Sequence, residues 1–427
     1  MRHLVVLGAG TAGTMVVNKL RPKLGADWAI TIVDPSDLHY YQPGFLFLPF
    51  GTYAARDVVK PMQHVLAKGI DLVKAAVDRV DAENRTVHLE DGSSLDYDYL
   101  VIATGTTPRP DQTPGMAEAM GTNVHEFYTY DGAMALRKAL ETFRAGRLVL
   151  HITEMPIKCP VAPLEFAFLA DSFFTEKGVR DKVELTYVTP LPGAFTKPVS
   201  AKAFGDALTQ KGIELEPDFV VEHVDGDAGT LVSYDEREVP FDLLVTIPLN
   251  MGADYVGRSG FGDDLNYVPV DRQTLLSTFS DRVFAVGDAN NIPASKAGAV
   301  AHFAVDGFVP NFLAHIEGKP MTHLFDGHAN CFIESGHGKA LLIDFNYDTE
   351  PLTGVYPYAK VGPLSLLKET RLNHIGKLAF RWIYWHILMP GRHLPVPIAM
   401  SMAGKTPAGT SESSADTDTD AAPIPSF

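Results

Sequence analysis

The amino-acid sequence predicts an α/β protein with two Rossmann-like dinucleotide-binding domains, followed by C-terminal amphipathic helices. Three observations carry that prediction. An apolar run at the N-terminus ends in a cluster of glycines that opens a helix. A second strand-turn-helix pattern begins near residue 147, and a stretch after residue 363 mixes bulky apolar side chains with spaced basic ones. The expected boundaries are 1–110 with 270–325 for a first, discontinuous unit, 111–269 for a second, and 326–402 for a C-terminal region. Residues 403–427, rich in Ser, Thr, Asp and Ala without apolar periodicity, read as a disordered acidic tail.

Residues 4–7 form the first strand and run into Gly8-Ala9-Gly10-Thr11-Ala12-Gly13, with a helix expected from Thr11 to Leu20. A second strand, residues 28–33, ends in Asp34, about twenty residues beyond the glycines, where a carboxylate can accept ribose hydroxyls. Gly8 makes the turn, Gly10 lets backbone amides approach a pyrophosphate, and Gly13 lets the helix lie close on the strand. Asp91-Gly92 marks a hairpin turn between residues 85–89 and 95–99, and residues 99–103 then lead into Ala103-Thr104-Gly105. A further apolar strand, residues 282–286, ends in Gly287-Asp288.

The second unit is altered. Its first strand, residues 147–152, runs into Thr153-Glu154-Met155-Pro156-Ile157-Lys158-Cys159-Pro160, a turn without glycine. Side chains at each position bar close backbone approach, and two prolines remove amide donors. The next strand, residues 183–188, ends in Thr189-Pro190, so the ribose-binding acid is missing as well. A nicotinamide dinucleotide is not expected there.

Composition removes other classes. With 46% hydrophobic and 21% charged residues, the 427-residue chain suits two or three globular domains. Its formal charge of −16 argues against nucleic acid as a partner, since such binders need a basic face. The chain enters an apolar strand after Met1, Arg2 and His3, so no signal peptide is expected and the body is read as made and kept inside the cell. Two cysteines, Cys159 and Cys331, are too few for a secreted disulfide framework and wrongly spaced for zinc, so no metal is expected. Buried small hydrophobes are the plain alternative. Cys159 stands before a helix expected from about 163 to 174, whose N-terminus, with Lys158, favours a thiolate.

The fingerprint, the Ala-Thr-Gly segment and the Gly-Asp segment, in this order, resemble the two-dinucleotide-binding-domain flavoproteins, with an FAD/NAD(P)-binding, disulfide-reductase-like fold. Tyr41-Gln42-Pro43-Gly44-Phe45-Leu46-Phe47-Leu48-Pro49-Phe50-Gly51, Pro293-Ala294-Ser295-Lys296-Ala297-Gly298 and the two cysteines narrow the resemblance to sulfide:quinone oxidoreductases, from the start of the chain to about Met402. The resemblance implies FAD held by Gly8, Gly10, Thr11, Ala12, Gly13, Asp34, Pro43, Gly44, Ala103, Thr104, Gly105, Gly287, Asp288, Lys296 and Gly298. It implies Cys159 and Cys331 as a redox pair attacked by sulfide, Cys331 nearer the flavin and Cys159 holding the sulfane sulfur. Quinone is the implied acceptor, bound by Phe332, Lys377 and Phe380, with Lys377 and His302 as proton-transfer candidates. Many members carry a third cysteine where this chain has Phe127-Tyr128-Thr129-Tyr130, so FAD is expected to be noncovalent.

From residue 363 to 402 five basic residues stand against one acid, a local charge of +4, with Trp382, Tyr384 and Trp385 clustered. Residues 364–389 read as amphipathic rather than spanning, suited to a lipid bilayer surface, which makes the protein peripheral (monotopic) by expectation; a homo-oligomer is expected as well. A core or dimer-interface helix is the plain alternative. Three rival functions stay open: a type II NADH:quinone oxidoreductase, which needs a nicotinamide loop; the flavin subunit of a flavocytochrome c sulfide dehydrogenase, which is exported; and a flavin-bearing sulfide sensor without turnover.

Overall fold

The computed structural model describes residues 1–359 and 362–406. A five-stranded parallel sheet forms the first unit, with Arg2–Leu7 at its centre between Trp28–Val33 and Tyr99–Ile102, and Asp71–Val73 and Val283–Ala285 at its edges. Its strands are near-continuous apolar runs because helices cover one face and a second apolar layer the other. Helix α1 (Thr11–Leu20) follows the first strand at once, as the glycine turn requires. Gly8 has φ +93°, and a Cβ there would stand 2.6 Å from the Ala103 carbonyl oxygen; at Gly13 a Cβ would meet the Gly8 oxygen at 1.9 Å. Only glycine fits either position.

The second parallel sheet runs Val124–His125, Leu243–Ile247, Gly146–Ile152, Val183–Val188, Ile213–Glu216. Helix α2 (Ala162–Glu176) follows its Gly146–Ile152 strand and is apolar nearly all round, so it is buried rather than half-wet. Helix α3 (Gly298–Ile316) packs against α1 in the first unit.

The chain then forms two antiparallel hairpins, Ala329–Gly336 with Lys339–Phe345 and Gly354–Tyr358 with Gly362–Leu366, before helix α4 (Arg371–Ile383). Residues 364–389 are therefore not one amphipathic helix. They open as a strand, become helical only after the Thr370 cap, whose side chain accepts from the Asn373 amide, and end in a wider helical turn over Tyr384–Leu388. Among the described residues no helix is long and apolar enough to cross a membrane. Of the stretch 403–427, residues 407–427 lie outside the described residues. Residues 403–406 are not a loose tail: the Lys405 ammonium is buried against Asp344, and the Val355 amide donates to Gly404.

Candidate active site

The end of the first sheet opens into a cleft. Gly8, Gly10, Thr11, Ala12, Asp34, Pro43, Ala103, Thr104, Gly105, Gly287, Asp288, Lys296 and Gly298 line it, as the sequence leads one to expect. Two expected residues do not. Gly13, within α1, faces the Gly8 carbonyl and lets the helix pack on the strand, and Gly44 faces Val58 and Tyr41, where a Cβ would stand 2.5 Å and 2.9 Å from their side chains.

The cleft suits FAD on its own geometry. No protein atom lies within 4 Å of a Cβ placed on Gly10, so the backbone there is open to a phosphate. Asp34 accepts from the Ala9 amide at 2.7 Å and the Ser36 amide at 2.8 Å, which leaves a lone pair on each oxygen for a ribose. Among the described residues no protein group is hydrogen-bonded to the Asp288 carboxylate, the position expected to hold the ribitol. Burial raises the Asp288 carboxyl, while Lys296 and Lys158 oppose the rise. Lys296 donates to the Asp288 and Asn290 carbonyls at 3.0 Å and 2.7 Å, lies over the Tyr267 ring, and burial lowers it to about 8.

The glycine-free turn of the second unit is folded into this cleft. The Lys158 amide donates to Asn250 Oδ1 at 3.1 Å, and Lys158 pairs as an isolated bridge with Lys296. Cys159 takes φ +50° and its carbonyl accepts from the Ala162 amide at 2.8 Å. Its side chain lines a small cavity with Phe45, Phe127, Ala162, Glu165 and Lys377, and Gln42, Pro43 and Lys158 line both this cavity and the cleft.

The electrostatics correct the expectation of a helix-lowered thiol. Burial pushes Cys159 up to about 12, with Glu165 adding to the rise and Lys377 opposing it. Burial also raises Cys331, and the charge of Cys159 adds to the rise. The charge favouring a thiolate is Lys377; Lys158 instead donates to Gln42 Oε1 at 3.2 Å.

Lys377 Nζ donates to Glu165 Oε1 at 2.7 Å and to the Phe332 carbonyl at 2.9 Å. Burial pulls the ammonium down, but Glu165, Cys159 and Glu334 outweigh it and hold it charged. Burial raises the Glu165 carboxyl, which Lys377 opposes. Lys377 thus shares a wall with Cys159 rather than standing apart from the sulfur side. Phe332 packs on α4, where Gly376 leaves room for its ring, 2.9 Å from where a Cβ would be, and Phe380 of the same helix lies 6.5 Å from the Tyr41 ring. His302 lines neither cavity. It is buried on α3, 3.3 Å from Asp306 one turn on, which also binds Lys19 of α1 at 2.8 Å.

Two of the three clustered aromatics expected at a lipid surface are interior. Tyr384 is 1% and Trp385 9% exposed, while Trp382 is 58% exposed. The outer face of α4 is instead Leu372, Ile375, Ala379 and Trp382 at helical spacing, all exposed. Sequence reading missed Glu165, Glu334, His39 and Tyr384. Only Glu165 carried a signal, an acid among the apolar residues of the first two turns of its helix.

Comparison with known proteins agrees with this geometry. The pyridine nucleotide-disulphide oxidoreductase family model matches residues 2–152. A mitochondrial sulfide:quinone oxidoreductase of Dictyostelium discoideum is 27% identical over 396 residues, covering 91% of this chain and 86% of the relative. The mitochondrial sulfide:quinone oxidoreductase of Mus musculus is 25% identical over 405 residues, covering 91% and 86%. The solved sulfide:quinone oxidoreductase of Aquifex aeolicus superposes with a TM-score of 0.78 at 21% identity, covering 92% of each chain, which shows the fold.

Proposed function

We infer, on the premise that the chain is a homologue of the sulfide:quinone oxidoreductases, that it oxidises sulfide at Cys159 and Cys331 and delivers the electrons through FAD to quinone. The observation that carries this reading is the shared wall: Gln42, Pro43 and Lys158 line both the dinucleotide cleft and the Cys159 cavity, so sulfur chemistry and cofactor adjoin. The turn that would hold a nicotinamide nucleotide is itself part of that wall.

When bound, FAD supplies a two-electron acceptor between sulfur and quinone. The protein's own part follows from its charges. Both cysteines are free thiols in this structure; with both raised by burial, the nucleophile is the hydrosulfide anion and its target is the disulfide that the two form in the oxidised enzyme. Attack forms one S–S bond and breaks another, leaving a persulfide on Cys159 and a thiolate on Cys331. The Lys377 ammonium stabilises that departing charge, and Glu165 Oε2, buried without a protein partner, is placed to accept the persulfide proton. Phe332 and Phe380 offer flat apolar surfaces for a quinone ring beside α4, whose exposed Leu372, Ile375 and Trp382 suit a lipid surface from which quinone arrives. Peripheral attachment there and self-association of the chain belong to the same reading.

Anaerobic flavin absorbance tests it. Sulfide should bleach the flavin, short-chain quinone should restore it, NADH should do nothing, and Cys159→Ser and Cys331→Ser should each abolish bleaching by sulfide. Bleaching by NADH and not by sulfide would instead identify an NADH:quinone reductase.

A further inference from the structure

Behind the Cys159 cavity, charged groups from separate elements converge. Glu165 Oε1, on α2, accepts from Lys377 Nζ and from the Glu334 backbone amide at 2.8 Å. The two carboxylate oxygens of Glu334, on the strand that carries Cys331, lie 2.9 Å and 3.0 Å from His374 Nδ1 on α4. Arg381 lies 4.4 Å over the Tyr53 ring and pairs with Asp57 at 3.1 Å, which closes the cluster on the N-terminal side. At the start of the helix Lys339 and Glu369 face each other at 4.0 Å, both exposed. The side chains of Glu165 and Glu334 are 1% exposed, whereas His374 reaches the surface at 25%.

Two buried oxygens in this cluster, Glu165 Oε2 and Tyr53 Oη, have no protein partner among the described residues. Buried oxygens of that kind are normally satisfied by ordered water. A helix anchored to a hairpin is held at least as well by hydrocarbon as by a buried ion pair, because desolvating the two charges offsets their attraction. The cluster therefore calls for a use beyond packing.

We propose that Glu334 and His374 are the outlet of a proton relay that starts at Glu165 and connects the Cys159 cavity to the surface beside the exposed face of α4. The proposal rests on the sulfide reading above. Each hydrosulfide that becomes sulfane sulfur gives up two electrons and one proton. The electrons leave through the cofactor to quinone; the proton must leave a cavity walled by Phe45, Leu46 and Phe127. Glu165 Oε2 takes it from the persulfide, and it passes by way of water to the carboxylate of Glu334, whose backbone amide already donates to Glu165. His374 Nδ1 receives it there as Nε2 releases one to solvent. Lys377 stays an ammonium throughout and orients Glu165.

Holoenzyme variants Glu334→Gln, His374→Ala and His374→Gln test the relay, with flavin content as the control for folding. Sulfide-driven flavin reduction should slow about 100-fold in each and lose its pH dependence. Added imidazole should restore His374→Ala, a rescue that a structural role would not give. An infrared difference spectrum between oxidised and dithionite-reduced holoenzyme, which needs no sulfide, should show a protonated-carboxyl band that Glu334→Gln removes. Wild-type rates and pH dependence in all three variants, with the band unchanged, would overturn the relay. Failure of sulfide to reduce the wild-type flavin removes the sulfide reading instead, and the infrared band then decides the relay alone.

Discussion

The Tyr384 hydroxyl lies 2.7 Å from His39 Nε2 and joins the end of the C-terminal helix to the phosphate-binding loop. Burial lowers His39 to about 4, so the imidazole is neutral at pH 7, with one donor and one acceptor. Nδ1 sits 2.9 Å from the Ala9 carbonyl and must be the donor; Nε2 then accepts from Tyr384. The Tyr384 oxygen is left to accept from Thr11, 2.9 Å away in the glycine loop.

Replacing Tyr384 by Phe strands the buried His39 Nε2 and costs about 1–3 kcal/mol. The expected outcome is a lower Tm and faster loss of FAD, with added FAD recovering part of the Tm. A variant with wild-type flavin retention and Tm would show that the bond does not hold the loop.

His39 also sets an acid limit. Its folded pKa of about 4 lies below the ordinary histidine value of 6.5, so between these the unfolded chain binds more protons and stability falls as pH falls. The stabilising contribution is complete above about pH 6.5 and amounts to about 3 kcal/mol. His151, buried against Thr246 at 2.9 Å and lowered to about 3, acts in the same sense. Raised carboxyls at Glu165, Glu334 and Asp288 act in the opposite sense, so the measurement is a difference. Urea unfolding of wild type and His39→Gln should show the wild type losing more stability between pH 7 and pH 5; parallel losses would refute the assignment.

The parts of the fold legible in the sequence were those with a local pattern. Thr11–Leu20, Trp28–Val33 and Val183–Val188 lie where their apolar spacing put them, and the glycine turn predicted its own geometry. Tyr384 and His39 are 345 positions apart, and Glu334 and His374 are 40 apart, so no local pattern links either pair. The same limit explains Trp385: an aromatic beside basic residues suits a lipid surface or a domain interface equally, and here Lys60 covers its ring at 4.4 Å. The Cys159 environment misled for another reason. A nearby helix start was visible, but burial, which outweighs it, was not.

The buried thiols make a direct prediction. With Cys159 held at about 12, reduced holoenzyme at pH 8 carries roughly a thousandth or less of the thiolate that an ordinary cysteine does. Iodoacetamide should therefore label both thiols very slowly, and Lys377→Met should slow labelling further by removing the opposing charge. Rapid labelling at neutral pH would mean that the cavity opens in solution.

Lys377 and Glu165 form a buried pair 2.7 Å apart, and breaking it from either side leaves a charge without its partner. Lys377→Met or Glu165→Leu alone should cost about 3–5 kcal/mol, and the double variant clearly less than the sum. A chemical-denaturation cycle reads this directly; additive losses would show that the pair is not coupled.

The exposed stripe on α4 supplies the last prediction. Ile375 and Trp382, each 58% exposed, stand two helical turns apart on the outer face, and the Trp382 ring stacks on His386 at 4.9 Å. Arg371 and Lys368 border the helix start and favour anionic headgroups. Moving either apolar side chain from water into lipid gains about 1.5–3 kcal/mol, so Ile375→Ser or Trp382→Ser should weaken binding to anionic vesicles about tenfold. Neither residue touches the Cys159 cavity, so flavin reduction by sulfide in detergent should stay at the wild-type rate. If both variants sediment with vesicles as wild type does, the lipid contact lies elsewhere; if neither wild type nor variant binds, the stripe is covered by protein, and the oligomeric state of Trp382→Ser should then change.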